Sequence, residues 1–336
     1  MTLTFAIAGK MSRDYLLPPV GNPLLDSPGG SLLYAAGGLA VWDPNLGLIG
    51  RIDAKYPQAW LDQFEARGFD VQGIRRLREP ADLDLRRFTA YNEKGERTHS
   101  NAVSHFARRQ LEFPKSLLGY LPPDGKAQDP RESDPLAPTA REVPAAYRSI
   151  SYIHLCPLDF TSQSQLVGLF KGGADQIVSL DPAPGYMKSS RWRDLRVLLQ
   201  GLTVFQPSEE ELRALFWGET NDLWEMAAKA SEYGVEIVVI KRGMLGQLVY
   251  DSPGKHRYEI PAYPARVADP TGAGHAFCGG FLAGLQRTND PLMAALYGNV
   301  SASLKLEGSG PFYPLEVMPG LADARLFALQ EMAREV

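Results

Sequence analysis

The sequence predicts an α/β fold in three layers: a mainly parallel sheet with helices on both faces, and a small β-rich lid. Two observations carry this expectation. Short apolar runs alternate with amphipathic stretches along most of the chain, the pattern of repeated βαβ units. A hairpin-like segment then breaks the alternation and reads as a flap projecting from the sheet.

Six apolar runs read as buried strands: Phe5–Ala8, Leu46–Ile49, Tyr152–Cys156, Ile177–Leu180, Leu202–Phe205 and Ile237–Ile240. Between them, Pro57 to Gly68 begins with proline and ends with glycine, the usual helix asymmetry. Glu209–Trp217 and Asn221–Gly234 also read as helices. Arg87 to Thr98 reads as a hairpin turning at Asn92–Gly95. The lid is expected from two separated segments, about residues 10–45 and 84–112. Pro114 to Pro144 carries seven prolines among many charges. A Pro-rich, exposed and irregular insertion over 114–146 is expected there, inside a single domain spanning 1–336.

With 336 residues, 44% hydrophobic and 22% charged, the chain is ordinary globular protein rather than a disordered one. A net charge of −4 leaves no basic footprint for duplex DNA or an anionic membrane, so no nucleic-acid or membrane partner is expected. Cys156 and Cys278 are too few for a disulfide framework and read as small buried hydrophobes in a reducing compartment. The first ten residues lack a basic region and a long apolar run, so they do not read as a signal peptide or anchor. A cytoplasmic location is the expectation.

The most informative segment runs from Ala268 to Phe281: Ala-Asp-Pro-Thr-Gly-Ala-Gly-His-Ala-Phe-Cys-Gly-Gly-Phe. Thr271–Gly274 is a tight turn opening a helix, where consecutive backbone N–H groups can converge on an anion at the positive end of the helix dipole. Gly279-Gly280 would weaken a solvated helix by about 1 kcal/mol each, and makes sense where that helix packs closely on a neighbour. The dinucleotide fingerprint is absent, because Phe277 stands where its third glycine would be, and no Walker loop is present.

This segment resembles the second signature of the pfkB (ribokinase-like) carbohydrate kinases, Asp-Thr-x-Gly-Ala-Gly-Asp followed by Phe and paired small residues. Other fragments resemble that family in the same order. They are Gly9–Asp14, Gly29-Gly30 with Ala35-Ala36, Leu48–Arg51, Gln206–Glu209, Val239–Gly246 and Gly298–Ala302. The resemblance implies a ribokinase-like fold and transfer of the ATP γ-phosphoryl group to a hydroxyl of a sugar-like or nucleoside-like small molecule. It implies ATP and Mg²⁺ as cofactors, with a monovalent cation as a further candidate.

By resemblance, Gly272, Ala273 and Gly274 stabilise the transferring phosphoryl group, Asp14, Gly29 and Gly30 hold the substrate's hydroxyls, and Asn299 lies beside the base. Gly243 and Gly246 line the nucleotide by resemblance and read equally well as ordinary hairpin glycines; Tyr34, a candidate substrate residue, reads equally as a ring-stacking phenol or a filler of the apolar core. Glu209 and Asp269 serve the metal, although Asp269 reads equally well as a turn or cap residue. The main departure is His275, where the family carries the aspartate that accepts the hydroxyl proton. A general base supplies about 10²–10⁴-fold in rate. A neutral imidazole can accept a proton, but it is bulkier and brings no negative charge. Three readings stand: an altered working base, a lost base, or an engineered change. The expectation is impaired chemistry with nucleotide binding retained; the alternative is an inactive nucleotide- or sugar-binding scaffold on the same fold. Tyr34, near where relatives carry asparagine, and Gln206, in place of an asparagine, blur the substrate. His154 reads as a satisfied core histidine. A homodimer formed through the lid is a further expectation.

Overall fold

A computed structural model describes residues 3–77, 83–92, 95–122, 133–171 and 176–336. The chain starts with β1 (Phe5–Ala8), β2 (Ser12–Leu17), β3 (Leu24–Gly29), α1 (Ser31–Ala40), β4 (Leu46–Ile52), α2 (Gln58–Ala66) and β5 (Asp70–Arg76). It continues through β6 (Arg86–Tyr91), β7 (Arg97–Thr98), α3 (Ala102–Arg108), β8 (Tyr152–Leu155), α4 (Phe160–Phe170), β9 (Ile177–Leu180), α5 (Trp192–Leu199) and β10 (Val204–Phe205). The last part holds α6 (Glu209–Leu215), α7 (Leu223–Ser231), β11 (Ile237–Lys241), β12 (Gln247–Asp251), β13 (His256–Ile260), α8 (Ala273–Thr288), α9 (Pro291–Leu306), α10 (Leu321–Gln330) and β14 (Arg334–Glu335).

The main sheet runs β14-β13-β12-β11-β10-β9-β8-β1-β4-β5. Its seven strands from β11 to β5 pair in parallel, and β12, β13 and β14 add antiparallel at one edge. Strand alternation splits the core. Phe5 and Ile7 pack with α1, α2, α8 and α9 on one face, whereas Ala6 and Ala8 pack with α4, α5, α6 and α7 on the other. Near-continuous apolar strands are what such two-sided burial requires. The Gly279-Gly280 pair lets α8 touch two neighbours: a Cβ at Gly279 would overlap the Ala35 carbonyl of α1, and one at Gly280 would overlap Ser301 of α9.

A second sheet, β3-β2-β6-β7, stands apart from the first. The expected hairpin forms, with Ala90 opposite Thr98 and Tyr91 opposite Arg97; its tip at 93–94 lies outside the described residues. Tyr15, Leu17, Phe88 and Ala90 cover one face of this sheet and pack on Phe106 of α3 and Leu117. The chain itself therefore covers that face of the sheet. The expected lid segment 10–45 narrows: residues 31–40 form α1, which is buried in the body of the molecule. The expected insertion is irregular where described, but it is not wholly exposed. Ala137, Val143 and Tyr147 are buried, and Tyr147 donates to Asp70 Oδ1 at 2.7 Å. Much of it, 123–132, lies outside the described residues.

Candidate active site

The candidate residues gather where the carboxyl ends of the parallel strands approach the second sheet, which Tyr91 joins to Thr271. Open α/β sheets bind ligands at this edge, because the loops there diverge and helix N-termini point inward. Lys10 follows β1, Asp181 follows β9, Gln206 follows β10, and Lys241 ends β11.

The anion turn is built as its residues dictate. Gly272 caps α8 with φ 80°, a left-handed backbone that suits glycine, and a Cβ there would overlap the Tyr34 ring. Asp269 Oδ1 accepts from the Thr271 N–H at 2.9 Å. The Ala273 N–H goes to the Pro270 carbonyl at 3.3 Å. Among the described residues the N–H groups of Gly272, Gly274 and His275 have no backbone partner. The free donors are thus Gly272, Gly274 and His275, with His275 replacing the expected Ala273. They open a 16-residue helix, whose dipole adds positive potential at that point.

His275 is partly open to the cleft, and its Nδ1 lies 3.1 Å from Asp181 Oδ2. Asp181 is buried, and its other oxygen lies 2.6 Å from Lys241 Nζ. Burial alone would raise the Asp181 pKa, but the Lys241 ammonium and the His275 hydrogen bond outweigh it and hold it at about 2. An ionised carboxylate only accepts, so His275 Nδ1 donates to Asp181, and in the neutral imidazole Nε2 is the nitrogen left to accept. Lys241 Nζ also lies 3.6 Å from Cys278 Sγ, one turn along α8. Both cysteines are free and buried, as expected.

Asp14 is 1% exposed. It accepts from Ser12 Oγ at 2.6 Å and from the Tyr34 hydroxyl at 3.3 Å. Burial raises its pKa above the ordinary carboxylate value, against Arg87 and these two hydroxyls. Gly29 lies against the same carboxylate, and Gly30, with φ 99°, caps α1. Tyr34 thus joins the Asp14 cluster to the anion turn. Across the cleft, Tyr91 of β6 reaches Thr271, with the two hydroxyls 2.7 Å apart. Alternation puts Arg87 and Thr89 on the Tyr91 side of that strand, opposite Phe88 and Ala90 in the lid core.

The remaining expected residues divide. Glu209 keeps a partly exposed carboxylate, bridged to Arg213 at 2.7 Å and Arg242 at 3.0 Å. Against the burial that would raise it, those arginines hold its pKa low. Gly243 and Gly246 flank a one-turn 3₁₀ segment in which Met244 and Leu245 are exposed. Asn299 is buried: its amide donates to the Pro261 carbonyl at 2.8 Å and accepts from the Tyr263 N–H at 3.0 Å. It braces the loop at 261–263.

Asp269, read equally as a turn residue or a metal residue, sits in the turn and is fully buried. Its Oδ2 makes no hydrogen bond and lies 3.8 Å from the buried Lys305 ammonium, so it braces the turn and has no face open to a metal. Burial pushes Lys305 down to about 8, with Asp269 and Asp14 working against that fall. Among the described residues no group of three or more His, Cys, Asp or Glu side chains is arranged to hold a metal. His154 is wholly buried in β8, with Nδ1 3.1 Å from Ser179 Oγ and Nε2 unpartnered.

Sequence reasoning missed Asp181, Lys241, Lys305, Tyr91 and Arg87. One signal was present for Asp181: an acid directly after a four-residue apolar strand, at the edge where parallel strands meet a cleft.

Comparison with known proteins agrees with this architecture. A family model described as pfkB family carbohydrate kinase matches residues 178–318. A cytidine kinase of Thermococcus kodakarensis is 28% identical over 289 residues, covering 85% of this chain and 89% of that protein. An uncharacterized sugar kinase of Archaeoglobus fulgidus is 30% identical over 189 residues, covering 54% of this chain and 71% of that protein. A crystal structure of a putative ribokinase II from E. coli, in complex with ATP and Mg²⁺, matches with a TM-score of 0.70 at 18% identity, covering 99% of both chains. No helix among the described residues is long and apolar enough to cross a membrane.

Proposed function

The chain belongs to the pfkB family of carbohydrate kinases, and we propose that it transfers the γ-phosphoryl group of Mg-ATP to a hydroxyl of a sugar-like or nucleoside-like small molecule, with His275 as the proton acceptor. The observation that carries this reading is the Asp181–His275 hydrogen bond of 3.1 Å. It sets a buried carboxylate behind the imidazole, where it orients the ring and stabilises its protonated form. A base oriented by a buried carboxylate is a recurrent way to make a neutral imidazole effective.

Neutral Nε2 takes the proton of the attacking hydroxyl, and Asp181 stabilises the imidazolium that results. With Lys241 balancing Asp181, the group as a whole goes from neutral to positive during the transfer. That is the sign a transferring phosphoryl group requires. The N–H groups of Gly272, Gly274 and His275 orient the phosphoryl oxygens. Asp14 and Tyr34 hold the substrate beside the turn, and Tyr91 closes the lid on Thr271 and keeps water out.

When bound, Mg²⁺ neutralises charge on the phosphate oxygens. Its protein contribution is modest here, which suits an ion held largely by water and substrate phosphates. Glu209, partly exposed and already ionised, is the residue placed to reach it through water. Gly243, Gly246 and the exposed Met244 offer an apolar surface for the nucleotide.

The test is Mg-ATP turnover over a panel of sugars and nucleosides, comparing the chain with His275→Asp and His275→Ala. A working base predicts that the parent turns over, and that His275→Ala loses about 10²–10⁴-fold in kcat. Turnover by His275→Asp alone would mean that the parent is a binding protein on a kinase scaffold.

A further inference from the structure

We propose that the buried ammonium of Lys305 is a positioning charge for the anion turn: it ties the turn to the end of α9 and offsets the negative groups behind it. The inference rests on the phosphoryl-binding role proposed for that turn. Lys305 is fully buried near the C-terminus of α9, and it donates to the carbonyls of Asp269 at 3.3 Å and Gly308 at 2.7 Å. The N–H groups of Ala268 and Asp269 both go to the Leu306 carbonyl, at 2.8 and 3.0 Å. The segment leading into Thr271–Gly274 is therefore pinned to the last turn of one helix.

That anchorage has an electrostatic consequence. The C-terminus of α9 carries the negative end of its dipole, and Asp269 and Asp14 are buried close by. Unbalanced, these groups would place negative potential behind the N–H donors that face an anion. Lys305 supplies the compensating charge at the same depth. Its ammonium lies 5.6 Å from the centre of the Tyr34 ring, which itself packs on Gly272. The effect of Lys305 thus reaches the turn through Asp269 on one side and Tyr34 on the other.

A buried lysine can be kept for stability alone, so the test separates the two roles. Lys305→Met leaves Asp269 as an uncompensated buried carboxylate. Asp269→Asn with Lys305→Met removes both charges while an amide oxygen still accepts from Thr271. Inorganic phosphate binding is measured by calorimetry on each folded variant, and kcat and the KM for Mg-ATP by steady-state assay. The expected result is phosphate affinity and kcat/KM for ATP at least tenfold lower in Lys305→Met. Ammonium or potassium ions are expected to restore part of that loss by entering the vacated space beside Asp269. The double variant is expected to keep a melting temperature closer to the parent and to recover affinity without added cation. Unchanged phosphate affinity in a folded Lys305→Met protein overturns the proposal, as does a loss confined to melting temperature. The phosphate measurement needs no turnover, so a parent inactive on every substrate would count against the kinase reading and leave this test standing.

Discussion

Asp181 Oδ2 and His275 Nδ1, 94 positions apart in the chain, lie 3.1 Å apart at the floor of the cleft. The carboxylate fixes the imidazole tautomer, so replacing it by an amide should cost rate more than affinity. Asp181→Asn is expected to lower kcat by about 10²–10⁴-fold, with the KM for ATP within about threefold of the parent. It also strands the Lys241 ammonium, which costs about 3–5 kcal/mol when a buried ion pair loses one partner. Asp181→Asn with Lys241→Met separates the two effects: melting temperature should recover while kcat stays low. Undiminished kcat in a folded single variant would remove Asp181 from the mechanism.

The Tyr91–Thr271 contact joins the second sheet to the anion turn. A net hydrogen bond of about 0.5–1.5 kcal/mol corresponds to roughly 2–12-fold in an equilibrium constant. Tyr91→Phe should therefore raise the KM for the acceptor substrate by about that factor and change kcat less. Thr271→Val should do the same, and the double variant should be no worse than either single one. Additive losses would show that the two hydroxyls act separately.

The sequence made the centre of this fold legible and hid its periphery, for one physical reason. β1, β4, β8, β9 and β11 are covered on both faces and read as near-continuous apolar runs. β2 and β6 have one face on the apolar core of the second sheet and the other toward Asp14, Arg87 and Tyr91, so charged residues interrupt them and they escape an apolar-run search. The glycine motif announced its turn because Gly272 needs a left-handed backbone. Lys305 gave no comparable signal, and Asp181 only the weaker one of an acid directly after an apolar strand. Each acts on a residue brought near by strand order or helix packing, and nothing local in the sequence encodes that pairing.

Close helix packing gives a contrast of sign within one kind of substitution. Ala for Gly in a helix normally gains about 0.5–1 kcal/mol. Gly168 of α4 is exposed with open space around its Cα, so Gly168→Ala should stabilise by about that amount. Gly279 and Gly280 face backbone and side-chain atoms of α1 and α9, so Gly279→Ala and Gly280→Ala should each destabilise by about 1–3 kcal/mol or more. Urea unfolding of the three variants checks this, and a stabilised Gly279→Ala would mean that α1 and α8 are not in contact.

His154 should make the protein sensitive to mild acid. It lies wholly inside β8, and burial pushes its pKa from the ordinary 6.5 down to about 3, with Lys241 and His275 opposing a further charge and Asp181 favouring one. The unfolded chain therefore binds a proton at about pH 6.5 that the folded chain does not take up until about pH 3. Between those limits the unfolded state holds more protons, and stability falls as pH falls. A single such group contributes a slope of about 1.4 kcal/mol per pH unit. His154→Asn keeps a polar group near Ser179 Oγ and removes the titration. Unfolding free energies at pH 7, 6, 5 and 4.5 should then converge: the parent is more stable at pH 7, and its advantage shrinks by about that slope below pH 6. Parallel curves for the two proteins would show that His154 takes up its proton in the folded state.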